Sequence, residues 1–234
     1  MAPAEMIRLA ILVSGRGSNM ICLADAIKTY AIAVKIAVVI SNQSCAAINL
    51  AHDRGFPTRV IDIQNFNNKV DQESTIAEVI QDYQADFIFL AGYMAILSSN
   101  FVDRFAGRII NIHPSLLPAF KGLNTHQRAI DENAKIHGVS VHLVTDALDD
   151  GPIIVQAKLP LLADDTADRL AARVLRLEHQ IYPFVLYGLA KKFLFLSPNG
   201  AHWQAPSFAL ANAPSPMQDL LTDCVIWPAS SAEW

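Results

Sequence analysis

Cysteine is scarce and scattered. Cys22, Cys45 and Cys224 are the only three, far apart and in no CxxC pair, which argues against both a disulfide framework and a cysteine zinc site. No basic block is present either: 18 Lys and Arg against 22 Asp and Glu leave a formal net charge of −4, so the electrostatic footprint of a nucleic-acid binder is missing. Long hydrophobic runs are also lacking, since the longest nearly uninterrupted one, FIFLAGYMAIL at 87–97, falls short of the ~20 residues that span a bilayer. The N-terminal stretch passes from IRLAILV straight into SGRGSN, without the basic start, apolar run and small-residue cleavage site of a signal peptide. These absences point to a cytoplasmic protein with reduced thiols that acts on small molecules, with neither nucleic acid nor membrane as partner. What is abundant is apolar bulk: 52% of 234 residues, enough for the core of one large domain or a domain with an appendage.

Short β-branched runs alternate with longer segments of helical period, the pattern of βαβ units around a mostly parallel sheet. Strands are expected at 7–13, 34–40, 58–61, 86–91 and 108–112, and helices at about 19–30, 45–54, 69–83 and 99–106. Ser18 or Asn19, Ser44, Asn68 and Ser98 or Ser99 are the N-cap candidates; Gly55 and Gly107 are the C-terminal stops. Beyond residue 125 the pattern changes. A helix at about 125–133 precedes GVSVHLV (138–144) and PIIVQAKLP (152–160), which predict an antiparallel hairpin across the acidic TDALDDGP. A long helix opens at Asp165-Thr166 and runs to about 190, with Leu170, Val174, Leu177, Ile181 and Val185 facing the core and Pro183 expected to kink it. The expected fold is α/β: a Rossmann-like, mostly parallel twisted sheet with an antiparallel C-terminal extension. Residues 1–190 form the expected catalytic domain, in halves of about 1–107 and about 108–190; residues 191–234 hold a small hairpin around Ser197–Gly200 and a loosely ordered tail rich in Ala, Pro and Ser.

Two stretches combine glycine or proline with polar residues at strand ends. SGRGSNM at 14–20 joins the first strand to the first helix, where backbone N–H groups and the helix dipole favour an anion such as phosphate. A dinucleotide fingerprint would need a third glycine where Met20 stands and an acid where Ser41 and Asn42 stand, and no Lys-Ser/Thr pair closes the loop as a P-loop requires. The plainer alternative is a tight turn that needs its glycines only for geometry. RIINIHPSLLPAFKG at 108–122 ends an apolar strand on Asn111 and His113, two apart and therefore on one face, at the carboxyl edge where open α/β sheets bind ligands. Together they can hold and polarise a carbonyl whose oxygen gains charge during acyl transfer; alternatively His113 caps its own loop.

Downstream, Asp146, Asp149 and Asp150 fall within TDALDDGP, where neighbouring carboxylates can make a proton acceptor or merely a solvated turn. A metal site combining them with His113, His126, His137 and His142 lacks HExxH or comparable spacing, so no metal is expected. Glu178 lies at the edge of the apolar stripe, as a boundary residue paired with Arg173 or Arg176 or as a partner for a substrate ammonium.

SGRGSN, AGYMAIL (91–97), INIHPSLLPAFKG (110–122), HGVSVHLVTDALDDGPIIVQ (137–156) and RVLRLEHQIYP (173–183) occur in this order and closely resemble the phosphoribosylglycinamide formyltransferase family, over roughly residues 7–190. The HPSLLP block is shared with the wider formyltransferase superfamily that uses 10-formyltetrahydrofolate; SGxGSN and LEH narrow the resemblance. It implies a formyltransferase fold and transfer of a formyl group from 10-formyltetrahydrofolate, as co-substrate, to the amine of glycinamide ribonucleotide in purine biosynthesis. By similarity Asn111, His113 and Asp149 match the catalytic trio; Gly17, Ser18, Asn19, Met20 and Glu178 match positions that bind the ribonucleotide. Lys69, the segment Met94, Ala95, Ile96 and Leu97, and Asn111, Thr145, Asp146 and Asp149 match the folate pocket.

Four positions depart from the family's pattern. Ala95 and Lys69 stand where many members have Arg, Asn124 where His is common, and Asp150 where Gly is common, so activity is expected to survive while folate affinity differs. A methionyl-tRNA formyltransferase would need a basic C-terminal domain, whereas only Lys191 and Lys192 are Lys or Arg after residue 190. A formyltetrahydrofolate deformylase, which uses a similar trio on water, is the alternative enzyme, usually with an N-terminal regulatory domain ahead of the first strand. A nucleotide-dependent oxidoreductase is weakened at Met20 and Asn42. The expected oligomeric state is monomer or homodimer.

Overall fold

The run IRLAILV forms β1 (Ile7–Val13), in which Leu9 through Val13 are wholly shielded from solvent. A strand covered on both faces carries apolar residues at every position rather than at alternate ones. The computed structural model describes residues 6–228, and the chain divides into two compact units, 1–111 and 112–234.

In the first unit β1 is followed by α1 (Ser18–Thr29), β2 (Val34–Ser41), α2 (Ala46–Asp53), β3 (Thr58–Val60), α3 (Lys69–Asp82), β4 (Phe87–Leu90), α4 (Ser99–Arg104) and β5 (Ile109–His113), the last running on into the second unit. The strands of this unit pair in parallel in the order β5-β4-β1-β2-β3. Right-handed βαβ crossovers on a parallel sheet give this arrangement, in which the order reverses between β1 and β4. Asn68 caps α3 by accepting the Asp71 amide at 3.0 Å, and Ser98 caps α4 by accepting the Phe101 amide at 3.3 Å. The expected side-chain caps of α1 and α2 are replaced: Gly17 and Cys45 hold those positions without a side-chain bond. Gly55 and Gly107 both turn left-handed, at φ 76° and 74°, as expected of residues just past a helix end.

The second unit contains α5 (Thr125–Asp131), β6 (Ile136–Leu143), β7 (Ile153–Pro160), α6 (Ala167–Ala190), β8 (Leu194–Ser197), β9 (Gly200–Trp203), α7 (Pro206–Ala211), α8 (Ser215–Leu221) and β10 (Val225–Ile226). β6 and β7 form the expected antiparallel pair, with a register shift between Val141 and His142. They touch through Gly138, where a Cβ would lie 2.0 Å from the Ala157 carbonyl oxygen. Thr166 caps α6 by accepting the Arg169 amide at 3.3 Å, and all five residues of the anticipated stripe are buried. α6 continues through Pro183 as one helix, in a stretch buried from Ile181 to Leu189.

β8 and β9 form the predicted hairpin, and Trp203 on it stacks on Phe184 of α6 at 5.1 Å and 8° while its indole N–H donates to the Ile154 carbonyl at 2.8 Å. Gly188 makes this approach possible, because a Cβ there would lie 2.6 Å from the Trp203 ring. The tail differs from expectation within the described residues. Instead of packing loosely, 206–226 form α7, α8 and β10, Met217 and Leu221 are buried, and β10 pairs with β7 through Val225 to Ala157 and Ile226 to Gln156. Residues 229–234 of that tail lie outside the described residues.

Candidate active site

In the first unit the loops after β1 and β4 meet at the point where strand order reverses, the usual ligand edge of an open α/β sheet. Ser14 organises them: its hydroxyl donates to Asn42 Oδ1 at 2.7 Å and accepts the Met94 amide at 2.9 Å, and its own amide donates to the Gly92 carbonyl at 3.1 Å. Asn42, standing where a dinucleotide site keeps an acid, is thus engaged in holding the loop.

The turn at Gly17 is left-handed, φ 80°, and a Cβ there would lie 2.7 Å from Ala47 Cβ, so glycine is required both by conformation and by the approach of α1 to α2. The first intrahelical bond of α1 runs from the Ile21 amide to the Gly17 carbonyl at 2.9 Å, which places the amides of Ser18, Asn19 and Met20 ahead of the helix's own ladder. Arg16 beside them is exposed. After β4 the chain exposes two apolar side chains in succession, Met94 at 73% and Ile96 at 63%, while Leu97 is buried. Lys69 donates to the Ile96 carbonyl and lies 3.4 Å from Glu73, whose buried carboxylate also accepts the Ser98 amide at 3.0 Å.

In the second unit His113 is 5% exposed and both its ring nitrogens face oxygens. Nδ1 lies 3.4 Å from Asp149 Oδ2, and Nε2 lies 3.0 Å from the Phe120 carbonyl oxygen. Asp149 adopts a left-handed backbone, φ 48°, and its Oδ2 also accepts the Gly122 amide at 2.9 Å. Its other oxygen lies 3.7 Å from His142 Nε2, and His142 is 2% exposed. Burial pulls the His142 pKa below the ordinary value, against the opposing effects of the Leu143 carbonyl and Asp149. Nδ1 of His142, 2.9 Å from that carbonyl, donates to it, and Nε2 faces the carboxylate.

The loop that carries Phe120 and Gly122 is anchored at its start. Ser140 donates to the Ser115 carbonyl at 2.7 Å and accepts the Leu117 amide at 2.9 Å, and Gln156 bonds both Ser140 Oγ at 2.7 Å and the Leu117 carbonyl at 2.9 Å. Two further imidazoles lie behind it. His126 Nδ1 is 3.1 Å from His137 Nε2, a contact that needs one protonated and one bare nitrogen, and burial with the neighbouring His126 and His113 lowers the His137 pKa to about 4.

The structure therefore brings His113 and Asp149 together, gathers Lys69 with the 94–97 segment, and sets Gly17, Ser18 and Asn19 at the start of α1. Asn111 sits half-buried on β5, two residues before His113. The Met20 side chain is wholly buried in the core, so its backbone amide alone is available to a ligand. Glu178 is half-buried on α6, and of the 145–149 loop Thr145 is half-buried and Asp146 exposed. His142, weighed above only as a metal ligand, faces Asp149; its one signal was a polar side chain, like His137 and Ser140, on a buried strand. Among the described residues no group of three or more His, Cys, Asp or Glu is arranged to hold a metal, and no helix is long and apolar enough to cross a membrane.

Residues 7–186 match the formyl transferase family. The phosphoribosylglycinamide formyltransferase of Haemophilus influenzae is 41% identical over 198 residues, 84% of this chain and 93% of that protein. The protein of the same name from Escherichia coli is 41% identical over 194 residues, 82% of this chain and 92% of its own. A solved phosphoribosylglycinamide formyltransferase from Coxiella burnetii, in complex with CHES, superposes with a TM-score of 0.82 at 42% identity, covering 86% of this chain and 94% of that one. A formyltetrahydrofolate deformylase from Burkholderia mallei reaches 0.77 at 29% identity, covering 86% of this chain and 70% of its own. With that match over most of its length, on the fold just described, the chain belongs to the formyl transferase family and, within it, to the phosphoribosylglycinamide formyltransferases.

Proposed function

We propose that this protein transfers the formyl group of 10-formyltetrahydrofolate to the amine of glycinamide ribonucleotide, giving formylglycinamide ribonucleotide in purine biosynthesis. The observation that carries the reading is the buried His113–Asp149 pair following Asn111 on β5, in a chain 41% identical to enzymes of that name. The co-substrate supplies a formyl carbon that exchanges its bond to a folate nitrogen for one to the ribonucleotide amine.

The chain's own groups handle charge and protons. Asn111 and His113 donate hydrogen bonds to the formyl oxygen as it gains charge, where one well-placed donor is worth roughly 3–4 kcal/mol. Asp149, oriented by the Gly122 amide at 2.9 Å, holds the His113 ring by its Nδ1 side and receives the proton that the attacking amine gives up, an equivalent of which the folate nitrogen takes up as its bond to the formyl carbon breaks. Donation by His113 requires that one ring nitrogen leave its present partner. Nε2 is the one that does so, because its partner is the neutral Phe120 carbonyl whereas Nδ1 faces a carboxylate. The exposed Met94 and Ile96 fit the apolar ring system of a folate, with Lys69 at the same segment. The amides at the start of α1 fit the phosphate of the ribonucleotide, and Glu178 fits its amine end.

The test is to mix the protein with 10-formyltetrahydrofolate, with and without glycinamide ribonucleotide. Formyl transfer should depend on the ribonucleotide. Folate turnover that ignores it would refute the transferase reading in favour of the hydrolase, the activity named for the 29% identical relative.

A further inference from the structure

Asp150 places a second carboxylate directly after Asp149, and the structure gives it a partner: Lys121 Nζ bonds Asp150 Oδ1. Lys121 is the middle of a tripeptide whose other two residues hold the site. The Phe120 carbonyl lies 3.0 Å from His113 Nε2, and the Gly122 amide donates to Asp149 Oδ2 at 2.9 Å. Phe120-Lys121-Gly122 thus grips His113, Asp150 and Asp149 in turn. The backbone on both sides of the grip is left-handed: φ is 56° at Phe120, 78° at Gly122 and 48° at Asp149. Such conformations at non-glycine residues cost energy and persist only where their surroundings over-determine them.

The other restraints are accounted for. Arg128 Nη1 holds the Lys121 carbonyl at 2.6 Å, with its guanidinium 5.6 Å from the Phe120 ring. Gly151 seats the far side of the acidic loop, since a Cβ there would lie 1.8 Å from the Leu143 carbonyl oxygen. Between these anchors the two loops are joined by the Gly122–Asp149 hydrogen bond and the Lys121–Asp150 ion pair.

We propose that Lys121 and Asp150 are positioning residues for the formyl transfer: their ion pair keeps the Gly122 amide on Asp149 when the Phe120 carbonyl releases His113. The inference rests on the roles proposed above for His113 and Asp149. Two neighbouring bonds, one neutral and one ionic, fix the register of one loop against the other more firmly than the Gly122 bond alone, so that Asp149 keeps its place against His113 and His142. An exposed ion pair contributes little to global stability, so its effect is read in turnover and local order.

The experiment compares the full chain with D150N, K121M and the charge-reversed K121D/D150K. Each single variant should lower kcat about three- to fivefold, the scale of one exposed ion pair, with KM for both substrates within about twofold; the reversed pair should return kcat to within about twofold of the parent. Amide hydrogen exchange at Gly122 should speed up by a similar factor in the single variants and slow again in the reversed pair. Single variants with parental kcat and parental Gly122 exchange overturn the proposal, as does a reversed pair no better than the singles. Failure of the parent chain to transfer formyl to the ribonucleotide would instead refute the proposed function, a result that the exchange measurement distinguishes.

Discussion

Asp149 Oδ2 lies 3.4 Å from His113 Nδ1, longer than a good hydrogen bond, while the same oxygen accepts the Gly122 amide at 2.9 Å. The carboxylate is therefore held by backbone first and by imidazole second. Catalytic contacts are commonly long before substrates bind and shorten in the reacting complex.

For His113 the consequence is kinetic. His113→Ala should lower kcat at least ~10²-fold with smaller changes in substrate binding, because its interaction strengthens in the transition state. Steady-state rates set beside calorimetric affinities check this, and near-normal turnover would remove His113 from the mechanism.

Ser140 is wholly buried and joins Ser115, Leu117 and Gln156. Ser140→Ala leaves those groups without it, and buried polar groups stripped of a partner cost about 1–3 kcal/mol. Urea unfolding should register that loss, and kcat should fall as well, since the loop that carries Phe120 and Gly122 starts there.

Gly17 lies at the proposed phosphate site but is a poor probe of it. With φ at 80° and Ala47 Cβ 2.7 Å from any added Cβ, Gly17→Ala strains the backbone and wedges α1 from α2, at roughly 1–3 kcal/mol. A thermal melt should show the destabilisation. Asn19→Ala leaves the backbone amides in place and asks instead whether the ligand sits at this turn: ribonucleotide affinity should drop while folate affinity is retained, and an equal loss of both would count against a ribonucleotide site there.

Acid should destabilise the fold through His137. Its folded pKa, lowered from 6.5 to about 4 chiefly by burial, lies below the unfolded value, so the unfolded chain binds the proton first. Stability is then full above about 6.5 and declines as pH falls toward about 4. His137→Asn should flatten the fall in melting temperature across that window; an unchanged slope would assign the acid sensitivity to other groups.

The fold was legible where signals are local. The apolar runs of β1, β2 and β4, the caps Asn68, Ser98 and Thr166, and the stripe of α6 each announce themselves within one or two turns of sequence. Asn111 and His113 were visible for the same reason, as polar residues ending an apolar strand. Asp149 was singled out only by resemblance, because its meeting with His113 depends on a fold that brings together residues far apart in sequence. The Phe120 carbonyl, the Gly122 amide and the Lys121–Asp150 pair were hidden, since they follow from left-handed turns at residues that do not advertise them. The tail was misjudged because α7 and α8 are six and seven residues long, too short for a period to stand out, and Met217 and Leu221 alone are buried on α8.

β10 has a consequence for solubility. It covers two residues of β7 at one end of the sheet, Gln156 and Ala157, whose backbone would otherwise present unmatched N–H and C=O groups to any passing strand. By supplying that strand from its own sequence, the protein withholds those backbone groups from a second molecule as a template for edge-to-edge aggregation.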